Sequence, residues 1–226
     1  MRAQIAALTI LLSAAAFAKS EDREVPPFEE VHIAAGMHAT IAIGPQRPVH
    51  LEGDESALAQ IETVVEDGAL RVGFKRDSWF HGSRRAVRVA IQTPQLKGVG
   101  GSGGSIIKAE LTRAERHEVQ ASGGSEMHIS GVDARDLSVQ GSGGSIITLS
   151  GRADVLDLQL SGGSHLRGRD LEVKDVHIEG SGGAQCELRA TGKIRGGLSG
   201  GSELHVRGGA RARVATSGGS SVEVDD

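Results

Sequence analysis

Apolar and polar residues alternate in a short stretch that recurs through the second half of the chain. Each stretch follows a tetrapeptide, Ser-Gly-Gly-Ser or once Ser-Gly-Gly-Ala. Two residues beyond the tetrapeptide the side chain is always apolar, and the residue after it is always polar. Such alternation predicts a strand with one buried face. The apolar positions are Ile107, Met127, Ile147, Leu166, Cys186, Leu204 and Val222.

A second strand precedes each tetrapeptide. Three residues before its first serine lie, in chain order, Val99, Val119, Val139, Leu158, Ile178, Gly196 and Val214. Each repeat therefore predicts two short strands that meet at the tetrapeptide. The variable stretch around Val132, Ala153 and Leu171 predicts a third side of each coil.

The tetrapeptides recur with a period of 18 to 20 residues, which is typical of a solenoid. We predict an all-β fold, a right-handed parallel β-helix of about seven short coils over residues 96–226, because parallel crossover connections are right-handed. An antiparallel sandwich of hairpins would need turn residues at both ends of every strand, and only one end carries Gly-Gly.

At the corner, glycine supplies positive φ angles and leaves room for the coil above. The first serines should stack into a structural ladder, because a hydroxyl group can both donate and accept a hydrogen bond. The alternative is that this column forms a polar stripe for a glycan or another surface ligand. These serines are Ser102, Ser122, Ser142, Ser161, Ser181, Ser199 and Ser217.

Residues 1–18 have the organisation of a secretory signal peptide. Arg2 precedes the apolar run 5–17, and Ala16-Phe17-Ala18 forms a small-x-small cleavage site. We therefore predict an exported protein, periplasmic, at the cell surface or secreted, with no transmembrane segment in the mature chain. The single Cys186 cannot form an internal disulfide.

Residues 19–95 predict a β-rich unit that caps the first coil. Short apolar stretches such as 31–33, 39–43 and 87–93 are separated by glycine and proline, and residues 56–61 suit a turn or two of helix. Capping is expected because an uncovered solenoid end leaves strand edges open.

Charge and spacing disfavour several classes of function. With 25 Lys and Arg against 29 Asp and Glu, the chain is mildly acidic, which argues against nucleic acid as a partner. The nine histidines do not converge, since His128 and His205 fall four coils apart, so we predict neither a metal nor a cofactor. Asp136 and Asp175 occupy equivalent positions in coils that are two apart, which is too far for a catalytic pair of carboxylates. The coils also have no long loop that could form the side of a cleft, so we predict no enzyme.

One stretch of residues 76–85 suits ligand recognition. It contains Trp79 and Phe80 beside Arg84 and Arg85. Aromatic faces suit sugars and arginine suits anionic groups. The alternative is that Trp79 and Phe80 fold back onto the N-terminal unit. We treat the four residues as the candidate ligand-binding site.

The chain resembles the family described as putative auto-transporter adhesin, head GIN domain, in the order of several short sequence segments. The resemblance covers about residues 28–224. It is carried by four segments in a fixed order before the Gly/Ser-rich coils: Phe28–Val31, Val49–Asp54, Gly68–Val72 and Val89–Leu96. It implies an exported bacterial β-solenoid with an accessory β-rich N-terminal half and suggests adhesion, without a catalytic motif.

The predicted function is a non-catalytic exported module, adhesin-like or an envelope scaffold, that binds envelope or host glycans or envelope proteins through extended β-helix faces. The alternative is a carbohydrate-active β-helix enzyme, a polysaccharide lyase or hydrolase. A third possibility is a structural envelope protein that associates with itself through its edges.

Overall fold

The computed structural model describes residues 19–75 and 87–225. The predicted signal peptide lies outside these residues. The fold is all-β, with 66% of residues in strands, and the helix α1 covers only Glu55–Leu58. The strands are β1 (Lys19–Arg23), β2 (Glu30–Ile33), β3 (His38–Ile43), β4 (Val49–Gly53), β5 (Ile61–Glu66), β6 (Ala69–Phe74), β7 (Arg88–Thr93), β8 (Gly98–Gly101), β9 (Ile106–Glu110), β10 (Ala114–Ala121), β11 (Glu126–Gly141), β12 (Ile146–Leu160), β13 (His165–Gly180), β14 (Gln185–Ala190), β15 (Lys193–Leu198), β16 (Glu203–Arg207), β17 (Arg211–Thr216) and β18 (Ser221–Asp225).

Every tetrapeptide joins two strands, and equivalent strands of successive coils pair in parallel and in register. Met127, for example, lies between Ile107 and Ile147 of the neighbouring coils, and all three side chains are buried. The alternating positions therefore form the interior columns that the sequence predicts. The result is a nearly closed parallel β-solenoid.

The predicted third side is present. Strands β11, β12 and β13 are long because each continues past a second bend, which the ladder marks by a register shift between Ile129 and Val132. Gly151 lies between Val132 and Leu171 in the ladder. A Cβ atom on Gly151 would lie 2.1 Å from the Val132 carbonyl oxygen, so the bend requires glycine there.

The stack continues into the N-terminal segment. Strands β2 and β3 pair in parallel with β8 and β9, and β6 and β7 pair in parallel with the other edges of β2 and β3. The corner between β2 and β3 is Ala34-Ala35-Gly36-Met37, which occupies the place of a tetrapeptide. Its Ala35 and Gly36 have φ angles of 62° and 74°. The β6–β7 layer therefore comes later in the chain than the β2–β3 layer but lies further out in the stack.

Antiparallel strands cover this outer layer. Strand β4 pairs with β7 and β1 pairs with β4, while β5 pairs with β6. Helix α1 buries Ala57 and Leu58 against the same end. The N-terminal unit thus caps the solenoid, and we call this the capped end.

The other end is left open within the described residues. Strands β17 and β18 pair only with β15 and β16. Their inward residues Ala212, Val214 and Val222 are only partly buried, and Val224 is 38% exposed. We call this the open end.

Candidate ligand-binding groove

A groove of about 900 Å³ runs along the stack beside the tetrapeptide corners. It extends from Val72 and Ala34 at the capped end to Ser199 near the open end. Layers of a stacked sheet are about 4.8 Å apart, so the groove is about 33 Å long. Its floor contains small or apolar residues next to the corner, including Ala121, Gly141 and Leu160.

One column of outward side chains forms a wall of the groove. Cross-strand pairing places these residues in consecutive layers, and all of them line the groove. From the capped end the column reads Arg71, His32, Gly100, Gln120, Gln140, Gln159, Glu179 and Gly197. Three successive amide groups therefore occupy its centre, with a basic pair at one end and a carboxylate towards the other.

The central amides are available to a ligand. Gln140 and Gln159 are exposed, and neither side chain is hydrogen-bonded to another described residue. Gln120 is half-buried, and its Nε2 donates to the Glu118 carboxylate at 2.5 Å. An amide offers two donor hydrogens and an acceptor oxygen. The column can thus bind uncharged ligands that carry both donors and acceptors.

The first serines of the tetrapeptides form the opposite side of the groove. Their backbone N–H groups donate to the layer below, as in Ser142 N to Ala121 O at 2.9 Å. Among the described residues no hydrogen bond joins two of their hydroxyl groups, and the Ser199 hydroxyl donates to Gly180 O at 3.5 Å. These hydroxyls line the groove in six layers: Ser102, Ser122, Ser142, Ser161, Ser181 and Ser199.

A buried hydroxyl column lies at the fourth position of the tetrapeptide. Ser125 is 1% exposed, and its Oγ accepts from the Ser122 N–H at 3.1 Å and donates to Gly101 O at 3.1 Å. Ser164 donates in the same way to Gly141 O at 3.2 Å. Ser125 and Ser164 therefore tie their corners to the layer below, whereas Ser202 donates to Ser199 O within its own corner at 2.8 Å. The first serines remain at the groove surface.

The first glycine of the tetrapeptide allows the corners to stack closely. Gly143 has a φ angle of 71°, and a Cβ atom on it would lie 3.1 Å from the Gly123 nitrogen. Gly144 is different, because its φ angle is not in the positive region and a Cβ atom would meet nothing within 4 Å. The first glycine is required by both backbone angle and contact, which keeps the groove wall continuous.

The basic end of the groove is partly desolvated. His32 lies over Gly100, where a Cβ atom would be 2.2 Å from the His32 Nδ1. Burial lowers the pKa of His32, and the Arg71 guanidinium lowers it further. Neutral imidazole is therefore favoured at this end, and Arg71 is the group that carries the positive charge.

The candidate residues Trp79, Phe80, Arg84 and Arg85 lie outside the described residues. The described residues on either side of them belong to the outer layer of the capped end. Gly73 of β6 lines the groove, and the backbone N–H of His38 donates to Val87 O at 2.9 Å. The last described strand before this segment, β6, therefore ends where the groove begins.

The residues that the sequence analysis weighed for catalysis or metal binding lie in separate layers. Asp136 and Asp175 flank Val155 in one column, so they are two layers apart as predicted. No cluster of three or more His, Cys, Asp or Glu residues suited to a metal ion occurs in residues 19–75 and 87–225. His128 and His205 lie in one column with three intervening layers.

The groove itself was not among the sequence predictions. Its signal is present, because Gln120, Gln140 and Gln159 all stand two residues before the first serine of a tetrapeptide. The concave shape is harder to read from the sequence, since it depends on how the corner projects beyond the small residues of the floor.

Comparison with known proteins identifies the family and the fold. The family model described as "Putative auto-transporter adhesin, head GIN domain" matches residues 27–210. No curated protein sequence matches the chain. Among the described residues, no helix combines the length and hydropathy needed to cross a bilayer.

Three solved structures illustrate the fold. A protein described as a putative adhesin from Bacteroides fragilis has a TM-score of 0.80 at 16% identity, over 92% of this chain and 96% of its own. A putative lipid binding protein from Parabacteroides distasonis has a TM-score of 0.69 at 15% identity, with coverage of 93% and 97%. A putative adhesin from Parabacteroides merdae has a TM-score of 0.57 at 16% identity, with coverage of 93% and 97%. At such low identity the similarity concerns the fold alone.

Proposed function

Because this chain belongs to the putative auto-transporter adhesin, head GIN domain family, we propose that it is an exported, non-catalytic adhesin-like protein that binds a linear glycan in the groove. The observation that carries the proposal is the column of Gln120, Gln140 and Gln159, which lines the groove beside a row of serine hydroxyls. Both kinds of group donate and accept hydrogen bonds, as sugar hydroxyls do.

The spacing of the column favours a glycan over an extended peptide. Successive amides are about 4.8 Å apart, and a sugar unit in a linear polysaccharide advances by a similar distance. An extended peptide presents equivalent groups only at every second residue, about 6.7 Å apart. A glycan can therefore repeat the same contact in successive layers, whereas a peptide loses register after one or two.

The residues that line the groove favour weak binding at each site, which many copies of the protein and ligand would strengthen. No Phe, Trp or Tyr side chain lines the groove among the described residues, so affinity along the glutamine column would come from hydrogen bonds. Each contributes about 0.5–1.5 kcal/mol net. Adhesion would then depend on many copies of the protein meeting many copies of the ligand. Among the described residues, Glu179 is the one carboxylate that lines the groove, which supports binding rather than catalysis by a pair of carboxylates.

The first test is a binding screen of residues 19–226 against neutral and acidic linear oligosaccharides of increasing length, taken from bacterial envelopes and host surfaces. Affinity for the matching glycan should rise with length up to about seven units, where a ~33 Å groove is filled. The Gln140→Ala/Gln159→Ala double variant should lose roughly tenfold or more, because two hydrogen-bonding groups are removed.

Gln185→Ala is the matched control, because Gln185 is an exposed glutamine on the strand after the corner and does not line the groove. It should bind as the unmodified protein does. Trp79→Ala tests the recognition segment that the sequence predicts at residues 76–85. Loss of binding with Trp79→Ala alone would move the site from the groove to residues 76–85. Breakdown of any polysaccharide during the screen would favour the lyase or hydrolase alternative instead.

A further inference from the structure

The strand edges of the open end are ready to pair with another chain. In β17 the Arg211 and Ser217 N–H groups donate inwards, to Gly192 O and Leu198 O. Alternation along a strand then directs the backbone N–H and C=O groups of Ala212 and Val214 away from β15, towards the open end. Their side chains still face the interior of the solenoid. In β18 the Ser221 N–H donates inwards to Ser202 O, so the same groups of Val222 and Val224 point outwards.

The charges on these two strands are opposite. Strand β17 carries the exposed Arg211 and Arg213, which form no ion pair with a described residue. Strand β18 carries Glu223 and Asp225, whose carboxylates both lie beside the His205 ring, at 3.1 and 3.2 Å. The open end is therefore complementary to itself, provided that β17 of one copy meets β18 of another.

We infer that the open end is a homodimer interface, in which β17 of each copy pairs antiparallel with β18 of the other around a two-fold axis through the last tetrapeptide corner. The inference goes beyond the proposed function and does not depend on it. The two-fold axis reverses strand direction, because β17 runs towards the corner and β18 runs away from it.

A single register pairs the outward backbone groups of Ala212 and Val214 with those of Val224 and Val222. With Val214 opposite Val222 of the second copy, Ala212 lies opposite Val224, and the outward backbone groups face one another. Each such pair exchanges two hydrogen bonds, so the two strand pairs form about eight. The inward apolar side chains of the two copies then continue one interior.

The same register aligns the charges. Arg213 lies opposite Glu223 and Arg211 opposite Asp225, and both are non-hydrogen-bonded pairs, in which side chains come closest. A shift by two residues leaves one arginine and one acid unmatched. Pairing β17 with β17 would set like charges against each other, which is unfavourable.

The two ends differ in a way that limits assembly to two copies. A two-fold contact uses the same surface on both chains and closes on itself. At the capped end, antiparallel strands already cover the outer layer, and the edge strand β1 carries Lys19, Glu21, Asp22 and Arg23, charges that discourage pairing. A dimer is therefore expected rather than a filament.

The test is the mass of residues 19–226 by sedimentation and light scattering across a concentration series. The unmodified chain should pass from monomer to dimer as concentration rises. Arg211→Glu/Arg213→Glu and Glu223→Arg/Asp225→Arg should each weaken self-association roughly tenfold or more, because like charges then oppose each other. An equimolar mixture of the two variants should form a one-to-one dimer, since each then meets its opposite.

Lys108→Glu/Arg116→Glu is the control for Arg211→Glu/Arg213→Glu, because it makes the same change in net charge at exposed positions away from the open end. It should dimerise normally. A second arm mixes Arg213→Cys with Glu223→Cys under oxidising conditions, where a disulfide between the copies is expected and neither variant alone should cross-link through these sites. A monomer at all concentrations without cross-linking, or a dimer indifferent to the charge reversals, would overturn the inference.

Discussion

The two ends of the solenoid complete their outermost strands in different ways. At the capped end, β4 and β5 pair antiparallel with β7 and β6. At the open end, β17 and β18 have no outer partner among the described residues. One interior column shows the consequence, because Val89 in the capped layer is 2% exposed while Val222 in the last layer is only partly buried. A stack of parallel layers always leaves the outer edge of its last layer unpaired. At the capped end, antiparallel strands pair with that edge.

The largest expected effect is a difference in the free energy of unfolding between variants of these two valines. Val89→Ala removes two methyl groups from a site closed by Leu51 of β4 and should lower the free energy of unfolding by about 2–3 kcal/mol. Val222→Ala should cost less than about 1 kcal/mol, because its site is already open to water. Denaturant unfolding at low protein concentration, where dimerisation does not contribute, measures both. Equal losses would show that the open end is covered in solution.

The corners provide the next comparison. Gly143→Ala places a Cβ atom against the Gly123 nitrogen at a φ angle of 71°, and should cost about 1–3 kcal/mol. Gly144→Ala is the matched control and should stay within about 0.5 kcal/mol, because its surroundings are open. Gly218→Ala, with similar geometry in the last layer, should cost less than Gly143→Ala, because that layer can shift outwards. Thermal unfolding of the three variants tests this order.

The repeat could be predicted from the sequence because its pattern is local. The column from Ile107 to Val222 follows from alternation and a period of 18 to 20 residues, and the structure confirms its register. The third side was also predicted. The sequence did not predict the exact register of this side, because Ala153 pairs with Ala134 and Val173 rather than with Val132 and Leu171.

The sequence predicted the capped end as a β-rich cap but not its strand order, because that order is not local. Its corner Ala34-Ala35-Gly36-Met37 lacks the serines that mark the repeat, and a non-glycine residue, Ala35, takes a φ angle of 62°. The β6–β7 layer lies outside the β2–β3 layer although it comes later in the chain. Periodicity along a sequence cannot reveal such a non-sequential order. The groove has the same limitation, because its depth depends on how corners project beyond their neighbours.

Acid pH should lower the stability of the half of the solenoid that lies nearer the capped end. His117 lies in an interior column of the capped half, opposite Leu137, and is fully buried with its Nε2 donating to Thr112 O at 2.8 Å and its Nδ1 unpartnered. Burial lowers the pKa of His117 below its ordinary value of 6.5. As pH falls through that value, the unfolded chain takes up a proton before the folded one, so stability decreases. The contribution is fully present above pH 6.5.

Melting temperatures between pH 7.5 and 5 test this expectation. The unmodified chain should lose stability over the interval, and His117→Leu, which matches the apolar residue in the next layer, should lose less. Burial and Arg71 also lower the pKa of His32, so a smaller slope should remain in the variant. Carboxylates such as Asp133, whose pKa the Arg152 guanidinium lowers, stay charged over this interval. Parallel pH curves for the two proteins would contradict the assignment to His117.

The smallest effect is a difference in thiol labelling rates along one interior column. Cys186 is buried, and burial raises the pKa of its thiol, so a thiol reagent should modify it only when the layers around it open. Only Leu204 and Val222 separate it from the open end. Met127→Cys in a Cys186→Ala background places a thiol three layers further in. If the open end frays, Cys186 reacts faster than this deeper thiol at low protein concentration, and dimerisation slows it as concentration rises. Equal rates at every concentration would mean that the solenoid opens only as a whole, in which case the two ends differ in structure but not in local stability.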